Sequence, residues 1–341
     1  MKTRTTNLAT SVAPRQADNT LASNITRYFR EFGLAWNHFW FKPILPHTLG
    51  FVRIATGSML VYMHLVWGSD LLAFLGPDAW LTADVVRQIH QGDYTWTYLS
   101  YIDSPAILWG HHILMLLVAV CLAIGFGTRI TAPLAWFLNL MYCHRLTGHL
   151  FGLDQVMMLL LMYLMLAPCG SVYSIDALLR HRREHSGRKS TWWLPNAVPS
   201  SANQVATRLM QLHLCVIYLF GGISKLRGEM WWDGSALWYA IVNWEYQSID
   251  SVWLGHYPTL LGALAHITIF WETFYCATVW PRFLRPWTIA MAVAVHGGIA
   301  LGLGMITFGL MMIVVNMSFI SPQTMKSIIA KITRRLASEV T

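Results

Sequence analysis

Apolar residues fall along the chain in eight long runs, each near the roughly 20 residues that a helix needs to cross about 30 Å of hydrocarbon. The runs cover residues 48–67, 105–126, 130–145, 152–169, 207–225, 258–280, 286–303 and 305–321. The last two share one apolar stretch, divided here at Gly302 and Gly304 because a single helix of that length would overshoot the bilayer by several turns. Ahead of the first run, Ile25, Tyr28, Phe29, Phe32, Trp36, Phe39 and Trp40 recur at three- and four-residue spacing, with Arg27 and Arg30 on the other face. That stripe predicts an amphipathic helix lying in the inner headgroup plane. The pattern thus predicts an all-α polytopic membrane protein, with about eight transmembrane helices plus interfacial amphipathic helices. Its parts are a cytoplasmic tail carrying the amphipathic helix (1–44), a transmembrane domain (45–322) and a short basic cytoplasmic tail (323–341).

Charge gives the orientation. Nineteen of the 24 Lys and Arg residues fall on one set of connections: Lys2, Arg4, Arg15, Arg27, Arg30 and Lys42 in the tail, Arg129, the 180–208 segment, Arg282, Arg285 and the last twenty residues. The opposite set holds Arg87, Arg145, Lys225 and Arg227, and Arg53 lies inside a run. Because cytoplasmic loops collect Lys and Arg, both termini are expected on the cytoplasmic side of the plasma membrane, the inner membrane in a bacterium. Two outer connections, 68–104 with Pro77-Asp78-Ala79-Trp80 and 226–257 with Trp231-Trp232-Asp233-Gly234, are rich in Trp and Tyr and read as interfacial caps over an outward-facing cavity.

Composition narrows the classes further. Only 12% of residues are charged and 55% are hydrophobic, against about 25% charged in an ordinary soluble domain. The formal charge of +8 lacks the basic, aromatic-interleaved surface that nucleic-acid binding needs, so no nucleic-acid partner is expected. Residues 1–46 contain no apolar core followed by a small-residue cleavage site, so the first run is expected to serve as the insertion signal. Five cysteines without regular spacing (Cys121, Cys143, Cys169, Cys215 and Cys276) read as small buried hydrophobes, and no metal site is predicted.

Ionisable groups inside apolar runs each need a partner or a cavity. Arg53, Glu272 and His296 form a deeper group, and the matching depths of the first two predict a buried Arg53–Glu272 ion pair. Its plain alternative to a proton path is the fixing of helix packing. A shallower group, His144, Arg145, His149, Asp154 and Lys225, gathers at the outer ends of the third to fifth runs. Gln211, Tyr218 and Lys225, seven residues apart, share one face with Gly221 and Gly222, which would leave room for a ligand against the helix. Lys225, with cations nearby and little solvent, suits a general base; the plain alternative is a snorkelling lysine at a helix end.

The run Ile217-Tyr218-Leu219-Phe220-Gly221-Gly222-Ile223-Ser224-Lys225-Leu226, followed by Trp231-Trp232-Asp233-Gly234, resembles the hallmark of the horizontally transferred transmembrane (HTTM) family, the membrane domain of vitamin K-dependent gamma-glutamyl carboxylase. Arg53, Gly57, Gly127-Thr128-Arg129, Gly152-Leu153-Asp154, Tyr173-Ser174-Ile175-Asp176, Glu272 and His296 agree in order, over about residues 45–320. The resemblance implies that Lys225 deprotonates reduced vitamin K or another quinol, that oxygen then yields a strong base, and that carboxylation follows. It implies a catalytic role for His149 and ligand contacts from Tyr218, Gly221, Gly222, Asp154 and Trp232; the family's asparagine falls near Gly148 and is absent. The carboxylase has a long lumenal portion after its spans, so the likeness is not expected to extend to the protein substrate. Two rival classes stand beside this reading: a non-enzymatic membrane accessory protein that processes or exports a secreted or membrane peptide, and a proton-coupled transporter.

Overall fold

A computed structural model describes residues 21–189 and 191–340. Lys2, Arg4 and Arg15 of the expected basic tail lie outside the described residues. The chain divides into two compact units, 1–42 and 43–341. Of the first, the described part is the helix α1 (Leu21–Phe41). Its aromatic stripe is real as packing: Trp36 stacks on Phe32 and meets Trp40, with ring centroids 6.2 and 5.9 Å apart.

The second unit is helical throughout, and no strand occurs among the described residues. It opens with α2 (His47–Gly68), and the long connection that follows holds α3 (Leu71–Leu75) and α4 (Ala83–Ile89). Three longer helices come next, α5 (Pro105–Ile124), α6 (Thr128–Arg145) and α7 (Gly152–Met165), then the short polar α8 (Ile175–His185). The 26-residue α9 (Ser201–Leu226) leads into two short pieces, α10 (Glu229–Trp232) and α11 (Ala236–Ile241). The chain closes with α12 (Pro258–Thr278), α13 (Arg285–Gly302), α14 (Ile306–Asn316) and α15 (Pro322–Val340).

A helix occupies each of the eight apolar runs, yet only α2, α5, α9 and α12 are long and apolar enough to cross a membrane. By that measure the count is four rather than eight. At 14 and 11 residues α7 and α14 fall short, while α6 carries Arg129, Asn139 and Arg145, and α13 begins on Arg285 and contains His296. The four spanning helices differ in placement. Of the apolar window of α2 56% is buried, against 28% for α12, so α2 is central and most of α12 faces outward.

Local chemistry explains the helix ends. Pro105 and Pro258 sit in the first turns of α5 and α12, where a missing N–H costs nothing. Gly125 and Gly127, at φ 73° and 59°, turn α5 into α6, a conformation that side chains with a Cβ resist. A Cβ on Gly125 would also strike Arg53 and Ser174. The final apolar run breaks at Gly304 (φ 67°), between α13 and α14, where the glycine pair predicted it.

The long helices alternate between two ends of the bundle. At the near end Ile44 bridges Ser200, Thr48 donates to the Ile320 carbonyl, and Gln211 donates to the Ser318 carbonyl at 2.8 Å. At the far end Arg145 Nη1 donates to the Leu81 carbonyl at 2.9 Å, His90 meets Thr147, and Ser248 meets the carbonyls of Leu301 and Gly302. The C-terminal tail is helical as α15, and its Met325 is buried.

Candidate functional site

The ion pair inside the bundle is not the one that depth matching predicted. Arg53 is fully buried and does not meet Glu272. Its Nη1 donates to the carbonyls of Leu122 and Ala123 at 2.9 Å each, and its Nη2 donates to the Tyr173 carbonyl at 2.6 Å. The guanidinium therefore caps the C-terminal end of α5, where unpaired carbonyls and the helix dipole both favour a cation. Fixed carbonyls take its two terminal nitrogens, while its buried Nε has no partner among the described residues, and a sequence pattern of charged residues contains no sign of those carbonyls. Close by, buried Asp176 closes the N-terminal end of α6: its carboxylate accepts from the N–H of Gly127 and Thr128 at 2.8 and 2.9 Å and from Thr128 Oγ1 at 2.7 Å.

Glu272 pairs with Lys225 instead. Nζ of Lys225 donates to Glu272 Oε2 at 2.7 Å, and the two side chains are 24% and 11% exposed. Glu272 lies 14 residues after Pro258, about 21 Å along α12, and six residues, about 9 Å, before Thr278. Lys225 thus reaches the C-terminal half of α12, and the division into a deep and a shallow polar group does not hold for these two residues. A helical side chain leans toward its own N-terminus, which carries Nζ back down α9 to the carboxylate.

The glycines beside the lysine make this contact possible, and the space they free is already used. A Cβ on Gly221 would lie 3.2 Å from Glu272 Oε2 and 3.8 Å from Lys225 Nζ. On Gly222 it would lie 2.6 Å from the Thr273 backbone nitrogen, so this glycine lets α9 and α12 touch backbone to backbone. The expectation of ligand room against this helix face is corrected accordingly. Trp231 covers the pair, with Lys225 Nζ 5.2 Å from its ring centroid. Its neighbour Trp232 turns away, donating Nε1–H to the Leu226 carbonyl at 2.8 Å and lying near His266. The turn continues with exposed Asp233, whose carboxyl is held below the usual range by the Ser235 hydroxyl and N–H, at 2.6 and 2.8 Å. Gly234 then packs its backbone on Gly262. The Trp-rich connection expected as an outer cap therefore lies along the N-terminal half of α12.

Tyr218 is buried in a network below the pair rather than on an open face. Asn316 Nδ2 donates to Tyr218 Oη at 2.9 Å and Tyr275 Oη donates to Asn316 Oδ1 at 2.6 Å, which leaves the Tyr218 hydroxyl proton for His296 Nε2 at 2.7 Å. In this arrangement His296 carries its own proton on Nδ1, a buried atom without a hydrogen-bond partner among the described residues.

His149 and Asp154 stand elsewhere. The His149 ring packs against Phe74 and Trp80, with centroids 5.4 and 5.9 Å away, and shares no hydrogen bond, ion pair or ring contact with Lys225 among the described residues. Asp154 Oδ2 accepts from the Phe151 N–H at 2.9 Å, a cap on α7, while its buried Oδ1 has no partner among the described residues. His144 donates to the Trp96 carbonyl at 2.7 Å, so with Arg145 it secures the 69–104 connection. A cavity of about 170 Å³ opens there, lined by Arg87, His90, Ser100, Tyr101 and His144 and not by Lys225.

Sequence reasoning found Lys225, Glu272, Tyr218 and His296 but missed Trp231, Tyr275 and Asn316. Trp231 was within reach as half of the Trp231-Trp232 pair; Asn316, placed in the last apolar run, had a legible signal as a lone amide there. No family model matches the chain, and no curated protein or solved structure matches it either.

Proposed function

We propose that this is a multi-pass membrane protein with both termini cytoplasmic, in which the Lys225–Glu272 pair handles a proton of a quinol-like lipid. One observation carries the reading: a lysine and a carboxylate 2.7 Å apart between two helices long and apolar enough to cross a membrane, with an aromatic ring over the lysine. Four helices long and apolar enough to cross a membrane support the multi-pass reading, and the bias of Lys and Arg toward one set of connections supports its orientation.

A quinol suits these residues by donor set. Lys225 Nζ and Glu272 Oε2 offer a donor and an acceptor side by side, His296 Nδ1 offers a buried N–H without a partner, and exposed Phe270 and Phe274 make α12 a lipid-facing surface. A bound reduced quinol would supply an acidic hydroxyl and, with oxygen, the strong base that carboxylation of the vitamin K-dependent kind requires. Lys225 Nζ passes its ammonium proton to Glu272 Oε2, the free amine takes the proton of the quinol hydroxyl, and the ammonium so regenerated stays beside the new negative charge. Trp231 lies over Nζ and reduces its contact with water, which strengthens both interactions. Tyr218 and Asn316 orient His296.

Quinol-dependent oxygen uptake tests the reading with purified wild type, Lys225→Arg and Glu272→Gln. Uptake in the wild type and its loss in both variants is expected, since Arg keeps the charge but does not give up a proton. Equal uptake in all three excludes the pair, and uptake in none favours the accessory-protein reading. The topology is tested by impermeant thiol labelling of intact cells, with reaction expected at Trp244→Cys and none at Glu184→Cys.

A proton-coupled transporter is the second reading, favoured by one observation. Glu272 and Lys225 touch directly instead of being separated by an apolar seal, and His296, Tyr218, Asn316 and Tyr275 form a polar line below them. Proton uptake into proteoliposomes that Glu272→Gln abolishes, without quinol or oxygen, would establish it.

A further inference from the structure

The near end of the bundle carries a second concentration of charge, far in sequence from Lys225. Arg182 and Arg183 on α8 and Arg188 just beyond it line a cavity of about 220 Å³, together with Trp193. A water molecule takes about 30 Å³ in the liquid, so the cavity has room for a polyatomic group. None of its lining residues is a carboxylate. The acidic groups of α8 are engaged elsewhere, Asp176 on the α6 N-terminus and Glu184 with Arg180 at 3.7 Å. Arg180 itself is drawn to the carbonyls of Ser171 and Pro195.

Three guanidinium groups around one hollow repel one another unless an anion joins them. Nε of Arg183 is buried without a hydrogen-bond partner among the described residues, a donor that needs an acceptor. Planar guanidinium forks match the oxygens of a phosphate better than those of a spherical anion. The surroundings indicate where such a phosphate comes from. Leu178 and Trp192, next in sequence to two lining residues, are 49% and 71% exposed, and Trp favours the boundary between headgroups and acyl chains. A free phosphate would leave both in water, whereas a membrane surface would cover them.

We propose that this hollow binds the phosphate of an anionic phospholipid headgroup, with Trp192 and Leu178 seated in the adjoining membrane surface. Arginine clusters beside membrane-spanning helices attract anionic lipid in this way.

The full chain in detergent, offered equal amounts of phosphatidylglycerol and phosphatidylcholine, tests the site by native mass spectrometry. Wild type is expected to retain phosphatidylglycerol with a preference of about tenfold or more. Arg182→Gln/Arg183→Gln/Arg188→Gln should bring that preference to within about twofold. Lys326→Gln/Lys331→Gln/Arg334→Gln, with the same loss of charge on α15, should keep it. Equal retention of the two lipids by wild type overturns the proposal without reference to any variant's folding. An unchanged preference in the arginine variant, or an equal loss in the α15 variant, overturns it as well. Inorganic phosphate at about 10 mM should not displace the lipid; complete displacement would assign the hollow to a free anion instead.

Discussion

Two cations inside this protein, the fully buried Arg53 and the part-exposed Lys225, are neutralised in opposite ways. Arg53 is held by backbone, three carbonyls at the end of α5 and beside Ser174, and its neighbour Asp176 is likewise held by N–H groups at the start of α6. Lys225 and Glu272 have each other, and no backbone group bonds to either charge among the described residues. Backbone partners are fixed by the helices that carry them, so the near-end charges cannot change partner without unfolding a helix terminus. A pair of side chains can exchange a proton or open to a third group while the helices stay in place. Charge inside the bundle therefore means different things at the two places, a brace at one and an exchangeable contact at the other.

The sharpest way to break this distinction is to delete each charge and measure stability. Arg53→Met leaves three carbonyls without their donor and should cost roughly 3–5 kcal/mol, read from thermal or denaturant unfolding in detergent. A loss below about 1 kcal/mol would remove the brace from the comparison. At the other site, Lys225→Met or Glu272→Leu alone should cost about 1–3 kcal/mol, because the pair is part-exposed and the stranded partner can reach polar surroundings. The double variant should cost less than the two singles added together, and strict additivity would mean that the pair is not coupled.

Much of this arrangement was legible in the sequence, and what was not has a physical cause. The eight runs and the break at Gly302 and Gly304 could be read because apolar length and glycine both act locally. The partner of Arg53 could not, because backbone carbonyls look the same at every position and only the closure of α5 exposes them. Lys225 was placed too shallow because α9 starts at Ser201, six residues before the apolar run, and because the expected outer loop folds back along α12. The cap role of Asp154 had a visible signal in its place just inside the start of α7, where a carboxylate suits the helix dipole.

Two smaller changes refine the same contrast. Asp176→Asn keeps the shape but removes the charge at the α6 N-terminus and should cost about 1 kcal/mol, read from the same unfolding measurements, with quinol-dependent uptake retained. Tyr275→Phe removes one hydrogen bond from the network below the pair and should cost about 0.5–1.5 kcal/mol. If it lowers uptake as far as Glu272→Gln does, the reactive contact extends down to Asn316, and the boundary between brace and site moves with it.

The return of α10 and α11 along α12 sets an order of assembly. Residues 229–241 are too few to cross the bilayer, and the turns joining them leave backbone groups that hydrocarbon cannot satisfy. This stretch therefore lacks its main packing partner until α12 is made. It has to wait until α12, made after it, is in place to offer the bare backbone at Gly262 against which Gly234 rests. Docking of this stretch, and with it the placing of Trp231 over Lys225, is thus a late event in biogenesis, and a chain halted before residue 258 would hold an uncovered lysine with no carboxylate to meet it.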